Sequence, residues 1–278
     1  MKFLFWNLKG NDAVTWQDRK TNILKHLSRM VAHYQIDYLL LAESKLVPND
    51  WSNFNLGNAN SKFVIAENVN PRFQVLYRVA STEISWVYNT PDNRLSIWNV
   101  ALAEKPFLLC LVHFPSHQFW DKESISEHAG EVINQIRLQE TQFSHSLRTI
   151  IVGDFNMNPY DAGMLSSLKF AAVSPRELAA KKRTVQQKEY RLFYNPMWSH
   201  FGDRSQGPPG TYFYKSAEHV NPGWHMLDQV LLSPEIMDEL QDVQIIDSDG
   251  RETMSTEAGQ PNGRRISDHF AVLFTLLS

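Results

Sequence analysis

Ten short runs of aliphatic and aromatic residues recur along the chain, and only two longer stretches interrupt them. "KFLFWN", "DYLLLAES", "KFVIAEN", "FQVLYRV", "EISWVYN", "RLSIWNVAL", "PFLLCLVHF", "TIIVGDFN", "LDQVLLS" and "FAVLFTLL" are bounded by Asn, Asp, Pro or Gly. Runs of this length and composition read as β-strands. Between residues 16 and 34, Ile23, Leu24, Leu27, Met30 and Val31 recur instead at helical spacing, and between residues 122 and 147 so do Ile125, Val132, Ile133, Ile136 and Phe143. Apolar residues at that spacing with polar residues between them make one buried stripe on a helix. The pattern predicts an α/β protein with many strands and two amphipathic helices, each followed by a strand that ends at a carboxylate. The chain has 278 residues, 43% of them hydrophobic, and shows no internal repeat, so one large domain over residues 1–278 is expected. Residues 157–224 are the least regular, and "RSQGPPGTYFYKS" reads as an ordered surface loop.

Charge and cysteine content exclude several function classes. The formal net charge of -3 gives no global basic field, so any polyanion must be gripped by a local patch. Cys110 is the one cysteine, which excludes an internal disulfide framework and a multi-thiolate zinc site. Within "FLLCLVHF" it reads as a buried, inert thiol. "MKFLFWN" is too short an apolar run for a signal peptide, and no later run approaches the ~20 apolar residues of a membrane span. A soluble, cytoplasmic protein with no membrane insertion is expected.

The strand ends carry the chemistry. The first run finishes at Asn7, the run after the first helix at Glu43, the run before the second helix at His113, and the run after it at Asp154 with Asn156. Asp228 lies in "LDQVLLS", and Asp268 and His269 lie in "SDHFAV". Polar residues at the edges of buried runs can be presented to one cleft and held rigidly by the core below. Carboxylate and amide oxygens suit Mg²⁺ or Mn²⁺, a histidine can move a proton, and amides can hold phosphate oxygens. The set therefore suits phosphoryl transfer with a hard cation.

"WN", "AES", "VHFPS", "GDFN", "LDQVLLS" and "SDHFAV" occur in the order found in the endonuclease/exonuclease/phosphatase superfamily, and the chain resembles it over nearly its whole length. Features of both the exonuclease III-like AP endonuclease branch and the DNase I and sphingomyelinase branches are present. The resemblance implies a DNase I-like four-layer α/β sandwich, two packed mixed β-sheets flanked by helices, with one active site at one edge. It implies Glu43 as principal metal ligand, with Asn7 and Asp268 near the same ion. Asp154 would orient or deprotonate the attacking water and Asn156 would bind the scissile phosphate. His269, oriented by Asp228, would contact the phosphate or act in proton transfer, and His113 would assist protonation of the leaving group. Taken singly, these residues have plainer readings: Asn7 closing a turn, Glu43 a solvated strand end, His113 a satisfied core histidine, Asp154 an Asx-turn, Asp228 a strand cap and "SDH" a turn.

Substrate class is less sharply defined. "NPGWHMLDQVLLS" resembles the AP endonuclease segment in which an aromatic residue lines a sugar pocket, which here would be Trp224. That branch usually carries an acid two residues after the first Asn, where this chain has Lys9. Lys181, Lys182 and Arg183, with Arg191, Arg204 and Lys215, could rim a nucleic-acid backbone, and Trp198, Tyr212, Tyr214 and Trp224 could stack on bases. The basic triplet could equally be the solvated end of a helix starting near Pro175, and the aromatics loop packing. A metal-dependent nuclease with a nucleic acid substrate is the leading expectation, followed by a phosphodiesterase or phosphatase for a small nucleotide or lipid headgroup. A catalytically silent binding module is the third, disfavoured because clustered carboxylates are costly to keep without a use.

Overall fold

The computed structural model describes residues 1–52, 63–78, 82–102, 105–143, 147–215, 219 and 221–277. Its first half runs β1 (Lys2–Asn7), α1 (Ala13–Tyr34), β2 (Tyr38–Ala42), α2 (Pro48–Ser52), β3 (Phe63–Ile65), β4 (Phe73–Arg78), β5 (Thr82–Asn89), β6 (Leu95–Leu102) and β7 (Phe107–His113). Then come α3 (Lys122–Phe143), β8 (Thr149–Asp154), α4 (Ala162–Leu165), β9 (Ala172–Val173), α5 (Arg176–Ala179), β10 (Lys182–Val185), β11 (Lys188–Arg191) and β12 (Phe193–Tyr194). After a 3-10 turn at Pro196–His200 follow β13 (Tyr212–Tyr214), β14 (Gly223–His225), β15 (Asp228–Leu232), β16 (Leu240–Ile246) and β17 (Ala271–Leu276).

Two large mixed sheets result, in the orders β16-β17-β1-β2-β4-β3 and β5-β6-β7-β8-β15-β12-β9. Each contains one parallel pair with a long helix as its crossover, β1 with β2 and β7 with β8, and in the second sheet the short β9 also runs parallel to β12. Each pair is flanked by an antiparallel strand, β17 beside β1 and β15 beside β8. At one edge, therefore, the C-terminal ends of four strands meet the N-terminal ends of two.

Alternation along the strands sorts the core. In β7 and β8, Leu109, Leu111, Ile150 and Val152 belong to the cluster between the sheets, whereas Leu108, Cys110, Val112 and Ile151 pack with Ile125, Val132, Ile133 and Ile136 of α3. Phe3 of β1 meets Phe107 of β7 edge-on across the sandwich at 6.2 Å. Buried aliphatic and aromatic side chains contribute about 1.5–3 kcal/mol each. With a period of two, the side chains that continue the inner rows are Asn7 after Phe5, His113 after Leu111, Asp154 after Val152, and Asp228 before Val230. The same rows that make the core deliver these polar groups to the sandwich edge.

The helices follow their predicted stripes. Asp12 caps α1 by accepting from Thr15, and Gln35 ends it in the left-handed conformation. In α3, Phe143 is the last helical residue among those described. Residues 144–146 of the expected helix lie outside the described residues. The structure differs in the irregular region. Tyr212–Tyr214, expected to belong to a loop, pair as a strand with β14. Residues 181–183 do not end a helix: α5 stops at Ala179, and Lys182 and Arg183 begin a two-stranded hairpin, β10 with β11. Among the described residues no helix is long and apolar enough to cross a membrane.

Candidate active site

Asp154 is the hub. It is 1% exposed, and its Oδ2 accepts a hydrogen bond from Asn7 Nδ2 at 3.0 Å, across from the other sheet. Its Oδ1 accepts from the Asn156 N–H at 2.9 Å, the Asx-turn foreseen for "GDFN", and turns Asn156 into the left-handed conformation with φ 49°. Asn156 Nδ2 in turn donates to the Phe114 carbonyl at 2.9 Å. Gly153 is required by close approach: a Cβ there would lie 1.9 Å from the Val112 carbonyl oxygen. Only glycine lets β7 and β8 close up immediately before the carboxylate.

Two histidines face this hub. His269 Nδ1 donates to Asp228 Oδ2 at 2.8 Å, leaving Nε2 4.0 Å from Asp154 Oδ2. Asp228 sits opposite Asp154 in register. His113 Nε2 lies 3.2 Å from Glu43 Oε1 and 3.8 Å from Asp154 Oδ2. Glu43 follows β2 in the left-handed conformation, its carbonyl accepting from the Gly10 N–H at 2.8 Å. Asn7, Glu43, His113, Asp154, Asn156, Asp228 and His269 are thus brought into one connected cluster.

Electrostatics separates the groups. Burial alone would lower His269, but the charge and hydrogen bond of Asp228, with Asp154 and Asp268 behind it, push it up to about 10. It is an imidazolium at neutral pH. Burial raises Asp154 to about 6, aided by the charge of Asp228 and opposed by His269, His113 and the Asn156 N–H. Burial would also raise Glu43, yet the His113 hydrogen bond and charge, the His269 charge and the Asn11 N–H outweigh it and hold Glu43 below the ordinary carboxylate range. Above pH 6 the centre holds ionised carboxylates beside a protonated histidine.

Several of these groups could hold a metal ion. Ligating atoms of Asp154, Asp228 and His269 lie within 4.8 Å of one another, but His269 as an imidazolium has no lone pair to give a metal. Glu43, Asn7 and Asp268 offer carboxylate and amide oxygens, the donor type that suits an oxygen-seeking divalent cation, and Asn7 Oδ1 accepts from the Lys9 N–H at 3.0 Å. Asp268 is engaged otherwise, since Lys9 Nζ stands 3.1 Å from its Oδ2, with both side chains about a third exposed. An exposed pair of this kind contributes about 0.2–1 kcal/mol, little enough for a divalent cation to displace.

The other expected substrate residues are not in the cluster. Trp224 belongs to β14, next to the strand that bridges His269, but its ring stacks on Phe270 at 6.1 Å and packs against the core. The aromatic ring against His269 is Tyr212, at 5.0 Å. Lys181, Lys182 and Arg183 are exposed, and Lys182 pairs with Glu189 across the hairpin at 2.8 Å. Arg191 of the same hairpin holds Glu140, which accepts from Thr149 Oγ1 at the start of β8, so the hairpin is anchored at the edge opposite Asp154. A six-residue strand separates them, about 17 Å.

Three supporting residues escaped the sequence reading. Thr211 Oγ1 accepts from the N–H groups of Leu227 and Asp228, fixing the start of β15. Ser267 Oγ donates to the Asn7 carbonyl at 2.6 Å and accepts from the His269 N–H. Arg19, fully buried in α1, donates to the carbonyls of Leu8, Lys9 and Ile266, tying the segment after β1 to the one before β17. Ser267 is the serine of "SDH" itself, visible in the motif but assigned no role there; a buried arginine on a helix gives no sequence signal.

A two-sheet α/β sandwich with a carboxylate, amide and histidine cluster at one edge is the architecture of DNase I-like proteins. Residues 4–269 match the Endonuclease/Exonuclease/phosphatase family, and the chain belongs to it. No curated protein matches the sequence. Among solved structures, D. rerio TDP2 complexed with a single strand DNA product has a TM-score of 0.60 at 15% identity, over 100% of this chain and 99% of that one. The endonuclease domain of TRAS1, a telomere-specific non-LTR retrotransposon, gives 0.54 at 11%, over 100% and 98%. A Bacteroides thetaiotaomicron mannosyl-6-phosphatase gives 0.57 at 15%, over the whole of both chains. At such identities the likeness is one of fold.

Proposed function

We propose that this protein is a divalent-metal-dependent phosphodiesterase, acting with Mg²⁺ or Mn²⁺ on the phosphodiester bonds of DNA or RNA by in-line attack of water. The observation that carries the reading is the pairing of an imidazolium, His269 backed by Asp228, with the raised carboxylate of Asp154 across 4.0 Å. A base and an acid poised on opposite sides of neutrality can serve one phosphoryl transfer in the same protonation state.

Each residue has a task. Asp154 accepts the proton of the attacking water, its orientation fixed by Asn7 and the Asn156 N–H. His269 donates from Nε2 to a non-bridging oxygen of the phosphate, where charge grows in the transition state. Asn156 Nδ2 keeps one hydrogen for the same phosphate while the other goes to Phe114. His113, within reach of both Glu43 and Asp154, is placed to hand a proton to the leaving oxygen. Glu43, with Asn7 and Asp268, would hold the cation, which polarises the phosphate when bound. The exposure of Phe119, Trp120 and Tyr160 on the segments that follow His113 and Asp154 favours nucleic acid, whose bases can stack on such rings, over a small phosphomonoester.

The test is purified protein with Mg²⁺ or Mn²⁺, with and without chelator, on single-stranded, double-stranded and abasic DNA, RNA, and small phosphomonoesters. Metal-dependent cleavage of a polynucleotide that disappears in chelator and in Glu43→Gln is expected. Activity confined to monoesters, or full activity in chelator, would overturn it.

A further inference from the structure

Two arginines that none of the motifs contains flank the centre from both sheets. Arg72 precedes β4, and its carbonyl accepts from the Glu43 N–H at 2.9 Å. Arg94 precedes β6; its carbonyl accepts from the His113 N–H at 3.0 Å and its Nη1 donates to the His113 carbonyl at 3.1 Å. Each arginine is thus hydrogen-bonded beside one member of the Glu43–His113 pair.

The two turns are built to hold them there. Asn68 clips the first turn through the Asn70 and Phe73 carbonyls, and Asn70 Oδ1 accepts from the Arg72 N–H. Asn70, 3% exposed, reaches across the sandwich with Nδ2 to the Asn93 carbonyl and Ser96 Oγ, locking the Arg72 turn to the Arg94 turn. Burial and then the charge of Arg72 lower Arg94, against the opposing charges of Asp92, Glu43 and Asp154, so the two cations lie within electrostatic reach of each other. Both are half-buried, and among the described residues no carboxylate lies within ion-pair distance of either guanidinium. Holding two like charges together by side-chain clips is unfavourable unless an anion joins them. Paired planar guanidiniums match phosphate oxygens in geometry as well as charge.

Strand order indicates which phosphate. β6, β7, β8 and β15 lie side by side, with Arg94, His113, Asp154 and Asp228 in sequence along the edge. At about 4.8 Å per strand, Arg94 starts ~10 Å from Asp154, on the far side of His113 from His269. That is a neighbour's position on the same ligand. We propose that Arg72 and Arg94 together bind a second phosphate group of the substrate, next to the one cleaved. This rests on the reading of the centre as a phosphodiesterase. The second phosphate could be the next diester of a polynucleotide or a terminal phosphate.

The test uses Arg72→Gln, Arg94→Gln and the double variant on three substrates: TpT, with one phosphate, pTpT, with an added terminal phosphate, and TpTpT, with an added diester. Wild type should prefer a second phosphate by at least tenfold in kcat/KM, through KM, and the double variant should lose that preference. Preference for pTpT alone assigns a terminal phosphate, and for TpTpT alone a flanking diester. A preference that survives in the double variant, or none in wild type, overturns the proposal, as does an equal loss on TpT. In parallel, binding of a labelled single-stranded oligonucleotide is followed in chelator across a salt series. The double variant should bind at least tenfold more weakly, its salt slope lower by about 0.7 per lost contact. If wild type hydrolyses none of the substrates, the phosphodiesterase reading fails and the binding arm alone decides, unchanged affinity and slope overturning the arginine site. Arg72→Gln by itself guards against a folding artefact, because the Arg72 guanidinium has no partner among the described residues.

Discussion

Replacing Asp228 by Asn keeps the size of the side chain and a hydrogen-bond acceptor for His269 Nδ1, but removes the buried charge 2.8 Å away. Raising His269 from 6.5 to about 10 corresponds to about 5 kcal/mol of preference for the imidazolium, at ~1.36 kcal/mol per pH unit. Asp228 is the leading favourable cause, with Asp154 and Asp268 behind it, while burial pulls the other way. Without Asp228 burial is opposed only by the weaker partners, and the His269 titration should fall by at least two pH units. In a pH–rate profile of oligonucleotide hydrolysis, wild type should hold its rate up to about pH 10, where the imidazolium loses its proton. The variant should turn down near or below pH 8, giving roughly a tenfold loss at pH 9 from protonation alone. NMR titration of the imidazole nitrogens in the metal-free protein reads the same shift without activity. A variant whose basic limb and His269 titration stay where wild type has them would refute the assignment of Asp228 as the group that keeps His269 charged.

Three further outcomes follow from the geometry. Gly153→Ala should cost several kcal/mol in urea unfolding, because the new Cβ would sit 1.9 Å from a backbone oxygen that cannot move without opening the β7–β8 ladder; a loss below about 1 kcal/mol would contradict that packing. Because the folded protein holds the His269 proton that the unfolded chain releases near pH 6.5, its contribution to stability is full below pH 6.5 and is lost as pH rises through about 10. Wild-type stability should therefore fall over that window relative to Asp228→Asn, and parallel curves would count against it. Replacing Lys181, Lys182 and Arg183 together should leave the salt slope of oligonucleotide binding unchanged, since their hairpin is anchored at the far edge of the sheet; a flatter slope would return them to the substrate path.

Much of the edge was legible in the sequence for a physical reason. Strand interiors are apolar, so a polar residue at the end of a buried run, as Asn7, Asp154 and Asp228 are, stands out and can be placed by counting in twos. The pairing of the runs could not be counted, because nothing local in "KFLFWN" states that it lies parallel to "DYLLLAES". The misplacements came from exposed segments: Lys182 and Arg183 are held by cross-strand pairing to Arg191 and Tyr190, partners whose register no periodicity announces. Arg72 and Arg94 were invisible for a related cause. They lie in turns before their strands and reach the centre only because Asn70 joins two turns of different sheets. Trp224 was expected at a pocket from its place before "LDQVLLS", but tertiary packing turned its ring onto Phe270.

The central claim, that "GDFN" and "SDH" furnish two halves of one catalytic centre, is tested most directly by a double-mutant cycle on Asp154→Asn and His269→Ala, with circular dichroism to show that each variant is folded. Each single change should lower kcat by about two to four orders of magnitude. Groups acting on one transition state are not additive, so the double variant should be little slower than the worse single one. Near wild-type turnover in either single variant, or losses that multiply in full, would mean that Asp154 and His269 do not serve the same reaction.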